Sequence, residues 1–190
     1  MKLIIASNNK HKISEIKSIL SGKFDEIISL SEANIHHETV EDGETFLENS
    51  LKKAREICAI SGAVALADDS GLCVNALGGA PGVYSARYSG EEATADSNNR
   101  LLLKNLAGIT DRSAYFICTV ALVYPDGREV TAEGRVHGEI IDSYRGNHGF
   151  GYDPIFLVNG DTKTLAEMSD SEKNAISHRG KALKNLLSKI

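Results

Sequence analysis

Ala63-Val64-Ala65-Leu66-Ala67 is a run of small apolar residues that leads straight into Asp68-Asp69-Ser70-Gly71-Leu72. The apolar run reads as a buried strand, expected to stop at Ala67 where the two carboxylates begin. Backbone leaving a sheet at that point would hold Asp68 and Asp69 at the mouth of a cleft, the place where α/β proteins bind ligands. Neighbouring carboxylates repel by roughly 4 kcal/mol at 4 Å in an effective dielectric of about 20. A hard cation such as Mg2+ relieves that repulsion and takes oxygen ligands of this kind. An Asx-turn or a helix cap would use the same residues, and the pair alone does not choose between these readings.

Patterning on either side of the pair predicts an α/β chain. Lys2–Ala6 is a strand and Ser7-Asn8-Asn9 a turn. A helix follows with Ile13, Ile16 and Leu20 at helical spacing, ended by Ser21-Gly22. Glu26–Ser29 is a short strand and Glu38–Glu44 an acidic loop. Thr45 and Glu48 form a capping box for a helix with an apolar stripe of Leu47, Leu51, Ala54 and Cys58, which leaves Asn49, Lys53 and Glu56 on the polar face. Gly78–Gly90 reads as a long ordered loop, and Thr94 as the cap of a helix carrying Leu101, Leu102 and Leu106. Ala114–Val123 and Glu129–Val136 make a hairpin around Pro125-Asp126-Gly127. Pro154–Val158 is one more strand, and Ser177 caps a last helix lined by Leu183, Leu186, Leu187 and Ile190. The expected architecture is an elongated mixed sheet flanked by helices, with two lobes and a central nucleotide-binding cleft, in one domain spanning residues 1–190.

Composition narrows the function classes. The chain has 42% hydrophobic and 25% charged residues, which suits a folded globular protein, and its net charge of −5 comes with scattered lysines and arginines. Polymeric nucleic acid, which needs a basic stripe, is therefore not an expected partner. No apolar run approaches the ~18 residues needed to span a bilayer, and residues 1–6 are too short for a signal-peptide core. Cys58, Cys73 and Cys118 are odd in number and widely spaced, so neither a disulfide framework nor a zinc site is expected, and a reducing cytoplasm fits.

Several short segments can carry chemistry. Ser7-Asn8-Asn9-Lys10-His11-Lys12 joins a strand to a helix, where free backbone N–H groups and lysines suit an anion. It lacks the spacing of a Walker P-loop and also serves as an ordinary capped helix start. Asn49 and Lys53 sit one turn apart, either on a solvated face or facing phosphates. Gly149-Phe150-Gly151-Tyr152-Asp153-Pro154 lets backbone and ring approach a flat ligand, or forms a rigid turn around a buried Phe. Lys173, His178 and Arg179 cluster near the last helix, where cations at a helix start oppose the macrodipole and hint at another use. His36-His37-Glu38 has the His-x-Glu of zinc deaminases without the Pro-Cys-x-x-Cys partner, and no nucleophile elbow occurs.

Taken with Ala76-Leu77-Gly78-Gly79-Ala80-Pro81-Gly82-Val83-Tyr84-Ser85-Ala86-Arg87-Tyr88-Ser89-Gly90, these pieces closely resemble the inosine/xanthosine triphosphate pyrophosphatase family. The resemblance runs in order over essentially the whole chain and implies a specific site. Glu41 and Asp69 would hold Mg2+, with Asp69 the base for an attacking water and Asp68 in support. Ser7, Asn8, Asn9, Lys10, His11, Lys12, Asn49 and Lys53 would bind the phosphate end of the substrate, and Ser70 would also contact the substrate. Phe150, Gly151, Tyr152, Asp153, Lys173, His178 and Arg179 would bind the purine and read an oxygen at C6. The implied reaction converts XTP, ITP or dITP to the monophosphate and pyrophosphate. A homodimer is implied as well, with Val83–Tyr88 at or near its interface. His11 stands where the family usually has glycine, which bears on the conformation of that loop. A non-hydrolytic purine-nucleotide-binding module would not need Asp68, Asp69 and Glu41 together. A pyrophosphatase for modified pyrimidine nucleotides would not need the purine cluster.

Overall fold

A computed structural model describes all of residues 1–190. Six strands form one mixed sheet in the order β2-β1-β3-β4-β5-β6. They are β1 (Lys2–Ile5), β2 (Glu26–Ser29), β3 (Val64–Val74), β4 (Ser113–Val123), β5 (Glu129–Ile140) and β6 (Phe156–Val158). The helices are α1 (Lys10–Ile19), α2 (Phe46–Ser61), α3 (Ala95–Asn105), α4 (Asp170–Ile176) and α5 (His178–Leu187). β1 lies parallel to both β2 and β3, with Leu3 opposite Val64 and Ile5 opposite Leu66, while β5 and β6 are antiparallel. The expected mixed α/β sheet is therefore present.

The chain divides into two compact units. The first comprises residues 1–69, 118–134 and 179–190. Its strands are apolar on both faces, so it has two cores. Leu3, Ile5, Val64, Leu66, Val120 and Leu122 pack with Ile16 of α1 and Leu183 of α5. Ile4, Ala65, Ala67, Ala121 and Val123 pack with Ala54 and Ile57 of α2. The second unit comprises residues 70–117 and 135–178, with a core of Leu72, Val74, Leu102, Phe116, Val136, Tyr152, Phe156 and Met168.

Three local expectations change. β3 does not stop at Ala67 but continues through both carboxylates to Val74. Asp, Ser and Gly are poor strand formers, yet Leu72 and Val74 beyond them are fully buried and hold the extension in place. The 78–90 loop contains a short 3-10 turn at Gly82–Arg87, pinned where Ser85 Oγ accepts the Leu72 N–H at 2.9 Å. On α2, Leu47 is 42% exposed whereas Asn49 and Lys53 are buried, so the polar face of that helix is covered. The expected Thr45–Glu48 capping box exists, and Thr94 caps its helix as expected, forming a box with Ser97. α4 was not expected; it is seven residues long and opened by a Ser169–Glu172 box.

Candidate active site

Because β3 runs on through the carboxylates, Asp68 and Asp69 are separated by the pleat. Successive residues of a strand face opposite sides, so Asp68 follows Val64 and Leu66 toward α1 and α5, and Asp69 follows Ala65 and Ala67 toward α2. Their repulsion is relieved by this division, with Asp68 paired directly to Lys12 and Arg179 while Asp69 faces Lys53.

Asp68 is 2% exposed. Its Oδ2 receives Lys12 Nζ at 3.1 Å, Arg179 Nε at 3.2 Å and Nη2 at 3.1 Å, and the Cys118 thiol at 3.8 Å. The remaining Arg179 Nη1 donates to Glu15 on α1. Burial by itself would raise the Asp68 pKa, but Lys12, Arg179 and Lys53 together outweigh it and hold the carboxyl well below the usual carboxylate range. Burial likewise opposes the charge of Arg179, and Asp68, Cys118 and Glu15 more than restore it. Burial and the nearby Asp68 charge both push the Cys118 thiol up, so it is not a nucleophile here. A permanently ionised carboxylate wrapped by cations is an anchor, unsuited to accept a proton.

Asp69, 6% exposed, has the opposite character. Desolvation is the largest influence and raises its pKa; Lys53, Lys12 and the Asn49 hydrogen bond offset this only in part, and Glu41 adds to it. Adjacent carboxyl groups driven in opposite directions are the signature of divided acid–base roles. Asn49 Nδ2 donates to Asp69 Oδ2 at 3.0 Å, and Lys53 Nζ stands 4.0 Å from Asp69 Oδ1 and 3.2 Å from Glu41 Oε2.

Glu41 arrives on a strap, residues 35–43, which has no regular hydrogen-bonded structure but whose odd-numbered residues are half-buried and even-numbered ones exposed. It runs along the polar face of α2. His37 and Thr39 meet Glu56 at 2.7 and 2.6 Å, Glu41 meets Lys53, Asp42 meets Lys52 at 2.6 Å, and the Gly43 N–H donates to Asn49 Oδ1 at 2.8 Å. Asn49, Lys52, Lys53 and Glu56 fall at helical spacing on one face. The face that could have been solvated is the seat of the Glu41 strap.

The donor set suits Mg2+. Two carboxylate oxygens face the same ammonium nitrogen, which marks a point where a cation is favoured. No cluster of three or more His, Cys, Asp or Glu converges in the chain. Mg2+ is typically bound through one or two carboxylates with water and substrate phosphate completing the octahedron, whereas zinc sites take three or four protein ligands.

At the start of α1, Asn9 is the cap. Its Oδ1 accepts the His11 N–H at 3.0 Å and the Lys12 N–H at 3.2 Å, and Ser7 Oγ accepts the Asn9 N–H at 3.2 Å. Part of the amide cradle expected for phosphate is thus already used internally. Asn8, Lys10 and His11 are exposed, and Lys12 reaches Asp68.

The purine residues expected beside Arg179 lie in the second unit. Lys173 and Asp153, each 3% exposed, form a buried ion pair at 2.8 Å. Asp153 Oδ2 also accepts the Phe150 N–H at 3.0 Å, and Lys173 Nζ sits 4.8 Å from the centre of the Phe150 ring. Gly149 has φ +72°, and a Cβ there would strike the Asp153 carboxylate, so glycine is required. His178 stacks on Phe116 with ring centres 4.9 Å apart. Gly151 and Ser70 also belong to this unit, and the Gly151 carbonyl accepts Asn99 Nδ2 at 3.0 Å. The Tyr152 side chain, expected at the ligand, is instead core: its ring is 5% exposed and its hydroxyl donates to the Ser85 carbonyl at 2.7 Å. Arg179 belongs to the first unit, where its guanidinium pairs with Asp68 and Glu15. Glu15 and Cys118 were not anticipated. Glu15 has one sequence hint, its place one turn beyond Lys12 on α1; Cys118 has none.

The Ham1 family profile matches residues 3–189. The chain belongs to the Ham1 family. A dITP/XTP pyrophosphatase of Clostridium perfringens is 50% identical over 193 residues, covering 97% of this chain and 95% of that protein. A dITP/XTP pyrophosphatase of Geobacter sulfurreducens is 50% identical over 184 residues, covering 96% and 92%. Among solved structures, the Ham1 protein of Coxiella burnetii superposes with a TM-score of 0.90 at 40% identity over 100% of both chains. The Staphylococcus aureus Ham1 protein gives 0.89 at 41% identity, over 100% of this chain and 97% of that one. As a Ham1 member at this level of identity, the chain shares its α/β fold with these proteins throughout.

Proposed function

We propose that this Ham1 protein is a Mg2+-dependent nucleoside triphosphate pyrophosphatase that converts XTP, ITP and dITP to the monophosphate and pyrophosphate. The dITP/XTP pyrophosphatase relatives support the reaction class. The observation that carries the mechanism is the division of labour on β3. Asp69, its pKa raised by burial and its carboxylate aligned by Asn49, accepts a proton from the attacking water. Asp68 stays ionised and fixes Lys12 and Arg179. Lys12 and Lys53 supply positive charge to the triphosphate, the dominant requirement in phosphoryl chemistry. Glu41 and Asp69 are the proposed metal ligands, and bound Mg2+ supplies further charge neutralisation at the phosphoanhydride.

In the second unit, Phe150, Lys173 and His178 are the proposed readers of the purine. Donors aimed at a C6 oxygen are left unpaired by the amino group of adenine, a penalty well above that of a missing methylene. The test is pyrophosphate release from XTP, ITP, dITP, GTP and ATP with and without Mg2+. Strong rejection of ATP, weaker rejection of GTP and a requirement for Mg2+ are expected. Hydrolysis of ATP as fast as of ITP would overturn the substrate assignment.

The homodimer belongs to the same proposal. Tyr84, 59% exposed on the Gly82–Arg87 turn with the Arg87 guanidinium 5.0 Å from its ring centre, offers an aromatic contact of the type enriched at interfaces. Sedimentation at twice the chain mass is expected; an active species at the mass of one chain would refute it. No helix is long and apolar enough to cross a membrane, and residence in the cytoplasm, to be checked by cell fractionation, completes the proposal.

A further inference from the structure

We infer that Asn49 is a positioning residue that sets the spacing between the two metal-ligand carriers, the Glu41 strap and Asp69. The inference rests on the proposed metal site but draws on a different observation. Both ends of the Asn49 amide are engaged within the protein: Oδ1 accepts the Gly43 N–H at 2.8 Å and Nδ2 donates to Asp69 Oδ2 at 3.0 Å. A peptide N–H only donates and an ionised carboxylate only accepts, so the two partners dictate which end of the amide faces which. The side chain is 2% exposed, which holds this arrangement away from competing water.

The strap side is built to the same measure. A Cβ on Gly43 would stand 2.6 Å from Asn49 Oδ1 and 2.9 Å from Glu48 Cβ, and Gly43 does not have a positive φ that would by itself call for glycine. Glycine is needed there because the Asn49 amide occupies the space. Glu41 lies two residues before Gly43 and on the same side of the strap. The Gly43–Asn49–Asp69 chain is therefore a direct mechanical link between the backbone that carries one ligand and the side chain of the other. Groups that orient metal ligands typically cost 10–100-fold in metal affinity or activity when removed. Lys53 also touches both carboxylates, but as a charge on a flexible stem it sets no fixed distance.

The experiment compares Asn49→Ala, Gly43→Ala, the double variant and Glu56→Gln in the full-length protein. Two readouts are used, hydrogen exchange of the Gly43 amide without metal and the Mg2+ concentration giving half-maximal ITP turnover. Both single variants should speed exchange at residues 41–43 while the α2 core stays protected, and raise the Mg2+ requirement about 10-fold or more. The double variant should cost no more than the worse single, because each destroys the same link. Glu56→Gln, at the far end of the strap, should loosen residues 37–39 and leave the Mg2+ requirement within about 2-fold. Unchanged Gly43 exchange in Asn49→Ala would overturn the link, and faster exchange with an unchanged Mg2+ requirement would overturn its role in spacing the ligands. Wild-type turnover indifferent to Mg2+ would instead overturn the metal reading, and the exchange data would still judge the link.

Discussion

Asp69→Asn should remove nearly all turnover while leaving the protein as stable as before, or slightly more so. On the proposed roles the loss combines a missing general base, worth roughly 10²–10⁴-fold, with a missing metal ligand. The stability side follows from the raised pKa of Asp69. A carboxyl whose folded pKa lies above its unfolded value contributes stability at low pH that is lost as pH rises through the folded pKa. At neutral pH the ionised group is therefore a net cost, and a neutral amide of the same shape removes it. The Asn49 contact survives in altered form, since the new amide oxygen can still accept from Asn49 Nδ2. The check is single-turnover kinetics on ITP beside a urea unfolding curve. The wild-type enzyme should also lose kcat/KM as pH falls, with an acid limb above the ordinary Asp value of about 3.9. A folded Asp69→Asn protein with near-normal turnover would sink the assignment.

Arg179→Met should be the most destabilising single change at the site. Arg179 is fully buried, and its guanidinium spans Asp68 and Glu15. Removing it leaves Asp68 inside the protein with Lys12 as its main remaining counter-charge. Breaking a buried pair from one side costs roughly 3–5 kcal/mol, whereas replacing both partners is far milder. Asp68→Asn in the Arg179→Met background should therefore recover much of the loss in urea unfolding. The pH dependence has a definite sign. In the wild type the Asp68 pKa is depressed, so its contribution is complete above the unfolded value of about 3.9 and is lost only as pH falls through the folded value. Without Arg179 that pKa rises, so the deficit relative to wild type should shrink as pH falls and Asp68 takes up a proton. A variant of wild-type stability whose ITP-over-ATP preference alone collapsed would return Arg179 to the purine-reading role that the resemblance implies.

Much of the framework was legible because it is written in local signals. The Ala63–Ala67 run, the Thr45–Glu48 box, the Thr94 cap and the 114–136 hairpin each depend on residues close together in the chain. What escaped depended on partners far away or on packing without apolar residues. The extension of β3 through Asp68-Asp69-Ser70-Gly71 runs against strand propensity and is held by buried residues on its far side. The cover over the polar face of α2 leaves no sequence signal because the strap uses His37, Thr39, Glu41 and Gly43, which show no hydrophobic periodicity. The Arg179–Asp68 pair joins residues 111 positions apart, and no spacing rule reaches that distance. The carboxylates themselves were found, but their opposite characters were not, since two identical neighbouring residues differ only in which side of the sheet they face.

That alternation makes the pairing of β3 with β1 part of the chemistry. With Leu3 opposite Val64 and Ile5 opposite Leu66, the register decides which aspartate meets arginine and which meets asparagine. A slip of one residue would exchange the two faces entirely. Shifted one way, Asp69 would take the place of Asp68 against Arg179 and Ser70 the place of the base; shifted the other way, Asp68 would take the place of Asp69 and Ala67 would face Arg179. An added or deleted residue between Val64 and Asp68 would keep every functional side chain in the protein and still leave one of the two carboxylate places without a carboxylate, a kind of damage that no change in the surface loops could cause.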